Sequence, residues 1–247
     1  MASSQSNQRL DIWLVENKFF KSRNSAANAI QAGGIILNGM IEKKISKKIT
    51  TGDKVELNKD HKVYVSRSAG KLKYLIEKTN KNISDYVCLD LGASTGGFTQ
   101  VLLEFGVGKV YAVDVGFNQL DPSIKEDSKV INMEKVDVRD LDKDLISSVD
   151  LISIDLSFIS LDKALNEVFK NARIGTSFYI LFKPQFEVGI NEVNKKGVVK
   201  NSSLTWNSIN KFLSFLKLRN FSKIKLFKSP LLGKDGNVEW LIFAEKE

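Results

Sequence analysis

Cysteine and histidine are nearly missing from this 247-residue chain, which holds one of each, Cys88 and His61. A single thiol cannot close an intrachain disulfide or build a thiolate metal site. A single imidazole leaves zinc chemistry and a Ser-His-Asp triad without their usual parts, so no metal-ligating residue is expected. Cys88 stands in an apolar run that reads as a buried strand, which fits a reducing, cytoplasmic setting. His61 stands in a polar stretch and reads as a solvated loop residue. Long apolar runs are lacking too. None approaches the ~18 residues of a membrane-spanning helix, and the opening MASSQSNQ has neither the basic nor the apolar segment of a secretion signal. No membrane is therefore expected as a partner.

Acidic residues are scarce in one part only. From 1 to 84 there are 7 Asp+Glu against 16 Lys+Arg, whereas from 85 to 247 there are 22 against 21. The formal net charge of +8 thus belongs to the N-terminal third. A basic module joined to a neutral one is expected to hold a polyanion with the first part while the second carries out chemistry.

Arg9 to Leu57 reads as a compact unit. RLDIWLVENKFF has apolar residues at 10, 13, 14 and 19 on one helical face. SRNSAANAIQAGG begins a second helix, with Ser22 as its N-cap and Gly33-Gly34 as its end. IILNGM places an Asn-Gly hairpin turn between two short strands, and the basic run EKKISKKI precedes TGDKVEL. The series Arg9-Leu10-Asp11, Ser22-Arg23, Ala26, Ile30, Asn38-Gly39 and Gly52-Asp53 resembles the S4-type (alpha-L) RNA-binding domain over about fifty residues. That resemblance implies a small α+β domain, expected over 1–60 with a linker at 61–66, which offers Lys and Arg to the phosphates of structured RNA. Its expected contacts are Arg9, Lys21, Arg23, Lys43, Lys44, Lys47 and Lys48. Arg9 and Arg23 belong to the motif, whereas the lysine run reads equally as a charged strand edge.

Beyond the linker, a helix from Ser66 to Thr79 leads into alternating strands and helices, the pattern of a mostly parallel sheet covered on both faces. Strands are expected at 86–91, 109–115, 129–133, 149–155, 176–183, 222–229 and 237–244. Asp90, Asp114, Asp155 and Lys183 all fall at strand ends, where such sheets bind ligands. The turn inside YVCLDLGASTGGFT is neither a P-loop nor a clean dehydrogenase fingerprint. Gly92, Gly96 and Gly97 would let the backbone pass close to a ligand, and Asp114, 24 residues beyond Asp90, is placed to accept from ribose hydroxyls. An adenosine-bearing cofactor follows, with a purely structural strand-to-helix turn as the alternative.

DLGASTGGFT, VYAVDVG, DLSFISL and KPQFE resemble the FtsJ-like 2′-O-ribose methyltransferases that use S-adenosyl-L-methionine. Behind an S4-type domain they are similar to the TlyA-type rRNA methyltransferases, historically labelled haemolysins, from Arg9 to the last strand. The resemblance implies an α/β fold: a Rossmann-like, seven-stranded, mostly parallel methyltransferase sheet over 67–247. It also implies ribosomal RNA or a ribosomal subunit as partner, no protein partner, and methylation of a cytidine 2′-hydroxyl in large-subunit RNA, with the small subunit left open. By motif, Asp90, Gly92, Ser94, Thr95, Gly97 and Phe98 would line the methionine side of S-adenosylmethionine, Asp114 would bind its ribose, and the adenine would lie near Asp137 and Val138. Asn118 and Val136-Asp137 depart from the family pattern, which has Gly and Thr-Asn there.

The resemblance also assigns a Lys-Asp-Lys-Glu tetrad to Lys71, Asp155, Lys183 and Glu239. Lys183 is expected to act as the base, Lys71 to lower its pKa or bind the target phosphate, and the two acids to orient the amines. The polar segment 189–204 reads as a mobile loop over the site that touches RNA through Lys195, Lys196 and Lys200, with a plain surface loop as the alternative. The helix after it, with Phe212, Leu213, Leu216 and Leu218, reads as core packing. A nucleotide-dependent oxidoreductase and a non-enzymatic RNA-binding or haemolysin-like membrane-active protein are the rival readings.

Overall fold

The computed structural model describes residues 7–20, 22–58 and 64–247. Lys21, His61 and part of the expected linker lie outside the described residues. The chain forms two compact units, residues 1–67 and 68–247.

In the first unit, β1 (Gln8–Arg9) runs into α1 (Leu10–Glu16). The helix is shorter than its apolar spacing predicts, because the Asn17 side chain donates to the Trp13 carbonyl at 2.9 Å and closes it. Phe19 therefore lies past the helix, packed on Trp13 with ring centroids 5.5 Å apart. α2 (Arg23–Ala32) starts at Ser22, whose hydroxyl accepts from the Ser25 amide, and stops at Gly33 in left-handed conformation, φ 86°. β2 (Ile35–Leu37) and β3 (Met40–Ile41) form a hairpin through Asn38 and Gly39, both at positive φ as a tight turn between twisted strands requires. β4 (Lys48–Ile49) pairs with β1, and β5 (Val55–Leu57) pairs with β2. Leu10 and Leu14 of α1 meet Ala26, Ala29 and Ile30 of α2 over Ile35, Leu37 and Ile49, so one stripe of each helix is buried against the strands.

The second unit opens with α3 (Ala69–Thr79), which begins three residues later than expected. There follow β6 (Val87–Leu91), α4 (Gly97–Glu104), β7 (Lys109–Asp114), α5 (Pro122–Lys125), β8 (Val130–Glu134) and α6 (Lys143–Ser148). Then come β9 (Leu151–Ile154), α7 (Leu161–Ala164), α8 (Asn166–Asn171), β10 (Ser177–Phe182), α9 (Ser202–Lys217), β11 (Phe221–Lys228) and β12 (Trp240–Lys246). The strands lie where the pattern predicts them, except that the last begins at Trp240 rather than at 237.

They form one seven-stranded sheet in the order β11-β12-β10-β9-β6-β7-β8, in which β12 alone runs against its neighbours. This is the Rossmann-like, mostly parallel sheet expected from the alternation of strands and helices. Its order reverses beside β6: the chain proceeds to β7 and β8 on one side and returns through β9 and β10 on the other. A crevice therefore opens beyond the carboxyl ends of β6 and β9.

Both faces of the sheet are covered. Phe178, Ile180 and Phe182 of β10 pack with Phe169 of α8 and Phe212 of α9. Tyr179, on the opposite face, lies 3.2 Å from the Thr79 hydroxyl of α3. α9 buries Phe212 and Leu216 as expected, but Leu218 falls beyond its last turn and is 83 % exposed. Among the described residues, no helix is long and apolar enough to cross a membrane.

Candidate active site and RNA interface

The glycine turn after β6 passes close to neighbouring protein. A Cβ on Gly92 would stand 2.8 Å from the Asp155 carbonyl oxygen, and one on Gly96 would stand 2.8 Å from Leu120 Cδ1. Both glycines have positive φ, 85° and 94°. Asp90, at the end of β6, is wholly buried beneath this turn. It accepts from the Thr99 hydroxyl of α4 at 2.6 Å and from the Ser153 hydroxyl of β9 at 2.7 Å. Burial pushes its carboxyl up to about 6 against the pull of those two bonds.

Beyond the turn lies a cavity of about 430 Å³. Of the residues expected at the cofactor, Gly92, Ser94, Asp114, Asp137 and Val138 line it, whereas Asp90, Thr95, Gly97 and Phe98 do not. Gly97 and Phe98 are buried in the first turn of α4, and Thr95 is exposed. Val115, Gln119 and the segment from Leu156 to Ile159 complete the lining. Sequence reasoning missed those residues individually, although the strand-end position of DLSFISL pointed at the segment.

Asp114 braces the mouth of the cavity: its carboxylate accepts from the Ser94 amide at 2.9 Å and from the Gly116 amide at 2.7 Å. Each oxygen keeps a further lone pair, enough for a ribose hydroxyl. Glu134, at the end of β8, accepts from the Gln119 and Leu120 amides and sets that loop. Asn118 has φ 54°, which accounts for its departure from the family's glycine, since Asn is a side chain that visits left-handed backbone routinely. Asp137 is held by the Arg139 guanidinium and accepts from the Arg139 amide, which together bring its carboxyl down to about 2. The residues present fit an adenosine-bearing cofactor, since Asp114 at the end of β7, Asp137 beyond β8 and Asp155 beyond β9 all line the cavity.

The four residues of the expected tetrad converge. Asp155 follows β9 and Lys183 follows β10, two neighbouring parallel strands. Because β12 is antiparallel, its beginning lies at that same edge, where Trp240 pairs with Phe182 and Glu239 immediately precedes it. α3 brings in Lys71, 7 % exposed, which pairs with the Glu239 carboxylate. Lys183 Nζ is 2.6 Å from Asp155 Oδ1 but off the hydrogen-bond axis, and it donates instead to Ser157 Oγ at 2.8 Å. Burial raises the Asp155 carboxyl above its ordinary value, while the charges of Lys183 and Lys71 oppose that rise and the charge of Glu239 adds to it. Two lysines and two acids thus stand together, so that each basic side chain has an acidic partner where water is scarce. Gln185, to which the sequence reading assigned nothing, donates to Glu239 Oε1 at 3.4 Å.

In the first unit, the motif arginines are organised by a carboxylate. Asp11, 3 % exposed, accepts from Arg9 Nε at 2.9 Å and from Arg23 Nη2 at 2.9 Å. Burial pushes Asp11 up, and the two guanidinium groups more than reverse it. Both arginines keep a large part of their surface in solvent. β1 pairs Arg9 with Lys48, which brings the distant lysine run beside the motif, and Lys43, Lys44, Lys47 and Lys48 are all exposed. Asn38 and Asp53 are structural: the Asn38 amide donates to the Asp53 carboxylate at 2.7 Å and joins the hairpin to the Gly-Asp turn.

Residues 64–246 match the family model described as FtsJ-like methyltransferase, and residues 8–55 match that of the S4 domain. The 16S/23S rRNA (cytidine-2'-O)-methyltransferase TlyA of Mycobacterium tuberculosis is 35 % identical over 241 residues, covering 97 % of this chain and 90 % of that protein. The 23S rRNA (cytidine-2'-O)-methyltransferase TlyA of Campylobacter jejuni is 34 % identical, covering 95 % of this chain and 98 % of its own. A solved structure from Streptococcus thermophilus, provisionally called a hemolysin, superposes with a TM-score of 0.73 at 34 % identity, covering 97 % of this chain and 88 % of that one.

Proposed function

We propose a function from one premise: this chain belongs to the FtsJ-like methyltransferase family and carries an S4 domain ahead of the methyltransferase unit. It is a cytoplasmic enzyme that methylates a cytidine 2′-hydroxyl in ribosomal RNA, large-subunit RNA foremost, using S-adenosyl-L-methionine. The observation that carries this reading is the meeting of Lys71, Asp155, Lys183 and Glu239 beside a cavity that Asp155 itself lines.

When bound, S-adenosylmethionine supplies a methyl group on a positively charged sulfur, open to attack by an oxygen nucleophile. Asp114 would accept from its ribose hydroxyls, Gly92 and Ser94 would border its amino-acid portion, and Asp137 with Val138 would border the adenine. Lys183 is the base for the 2′-hydroxyl. Its amine stands 2.6 Å from Asp155 Oδ1 and donates to Ser157 Oγ at 2.8 Å, so the acid and the hydroxyl orient it towards the cavity that both of them line. Lys71, oriented by Glu239, holds positive charge for the target phosphate. Arg9, Arg23 and the exposed lysines of the first unit bind RNA phosphates and raise the local concentration of substrate. Most of the acceleration comes from holding hydroxyl and methyl donor in line.

Mapping 2′-O-methyl marks on ribosomal RNA from cells with and without this gene tests the reaction, and loss of one cytidine mark is the expected result. Lys183→Ala should lower the methylation rate ~100-fold or more while RNA and cofactor binding persist. A Lys183→Ala protein that methylates at the wild-type rate would refute the assignment.

A further inference from the structure

Asn237 is buried, 3 % exposed, and the chemistry above gives it no task. Both ends of its side chain are used by the segment that follows β10. Its Nδ2 donates to the Gly197 carbonyl at 2.9 Å, and its Oδ1 accepts from the Val199 amide at 3.1 Å. That segment has order of its own. Val193 and Val199 pair as a short antiparallel bridge, and the Asn194 carboxamide accepts from the Lys196 and Val198 amides. Lys195 and Lys196 stand exposed at its tip, and Lys200, also exposed, donates to the Asn191 carbonyl at 2.6 Å.

On its other side, Asn237 reaches the tetrad. Its backbone carbonyl accepts from the Gly233 amide at 2.8 Å and closes the 233–237 turn. Gly233 lies directly against the Glu239 carboxylate, since a Cβ there would stand 2.5 Å from Glu239 Oε1. Glu239 follows Asn237 by two residues and holds Lys71. One buried carboxamide therefore joins the lysine-tipped segment to the turn on which Glu239 is seated.

We infer that Asn237 is a positioning residue: it clamps segment 194–199 to the 233–237 turn, so that RNA engaging Lys195 and Lys196 sets the Lys71–Glu239 pair. The inference rests on the methyl-transfer reading above. A clamp that only stabilised a loop would need no contact with the seat of Glu239, whereas this one is continuous with it through Gly233.

The full-length protein is tested as Asn237→Ala and as Val199→Pro, which deletes the amide that Asn237 accepts and leaves Asn237 itself in place. Hydrogen exchange reads the clamp without reference to catalysis: amides 196–198 and 233 should exchange ~10-fold faster or more in both variants, with amide 199 joining them in Asn237→Ala, and unchanged protection overturns the clamp. Single-turnover methylation of ribosomal RNA reads the coupling, with an expected loss of ~10-fold or more in rate at a cofactor affinity within about twofold of wild type. In a Glu239→Gln background, the further loss from Asn237→Ala should vanish, because the two act on one element. Losses that multiply in the double variant overturn the inference. A wild-type protein that methylates nothing would sink the proposed function instead, and the exchange result would still decide whether the clamp exists.

Discussion

Gly92→Ala adds one methyl group at the point where the cofactor turn touches the tetrad, and its cost follows from the contacts. The new Cβ would stand 2.8 Å from the Asp155 carbonyl oxygen and 3.2 Å from Leu156 Cδ2, on a residue with φ 85°. Left-handed backbone costs a non-glycine residue about 1–2 kcal/mol, and forcing an atom into a packed region costs about 1–3 kcal/mol. The cofactor-free protein should therefore lose about 2–5 kcal/mol of stability, read by urea denaturation through Trp206 and Trp240 fluorescence. Because the obstructing atom belongs to the Asp155 backbone, the displacement passes to a carboxylate 2.6 Å from Lys183 Nζ. The methylation rate should then fall ~10-fold or more even at saturating cofactor. If the glycine served ligand approach alone, cofactor-free stability would match wild type and only affinity would suffer. That outcome would refute the reasoning.

Asp90 makes stability depend on pH, and the direction is set by its raised carboxyl. Unfolded aspartate ionises near ~3.9 and Asp90 in the fold at about 6. Its contribution is whole below the unfolded value and disappears as pH rises through 6, a loss on the order of 3 kcal/mol by pH 7. The stability of Asp90→Asn relative to wild type should accordingly improve by that amount between pH 4 and pH 7 in urea titrations, and a constant difference would contradict the assignment. Arg23→Ala should weaken RNA binding and reduce the slope of log Kd against log salt by about one, since one phosphate contact is lost. An unchanged slope would place Arg23 away from the RNA backbone.

What local chemistry dictates was legible along the chain. Ser22 and Gly33 bound α2 because a hydroxyl satisfies a free amide and glycine tolerates left-handed backbone, and Asn38-Gly39 turns the hairpin for the same conformational reason. Apolar runs and alternation placed the seven strands, and the family resemblance brought Lys71, Asp155, Lys183 and Glu239 forward as a set. Neighbour relations were not legible. The spacing that extended α1 to Phe19 carries no information about Asn17 closing the helix. The glycines of the turn announced a close approach without saying to what, and the answer was the Asp155 carbonyl. Asp90 reads as a ligand-facing acid until β9 and α4 cover it with Ser153 and Thr99.

The sequence by itself determined the elements, the two modules and the residue types the chemistry needs, because those depend on interactions a few residues long. Only the tertiary structure decided which groups meet. The reversed direction of β12 delivers Glu239 to the carboxyl edge of a parallel sheet, and burial then sets which carboxyls are raised and which side chains serve as supports.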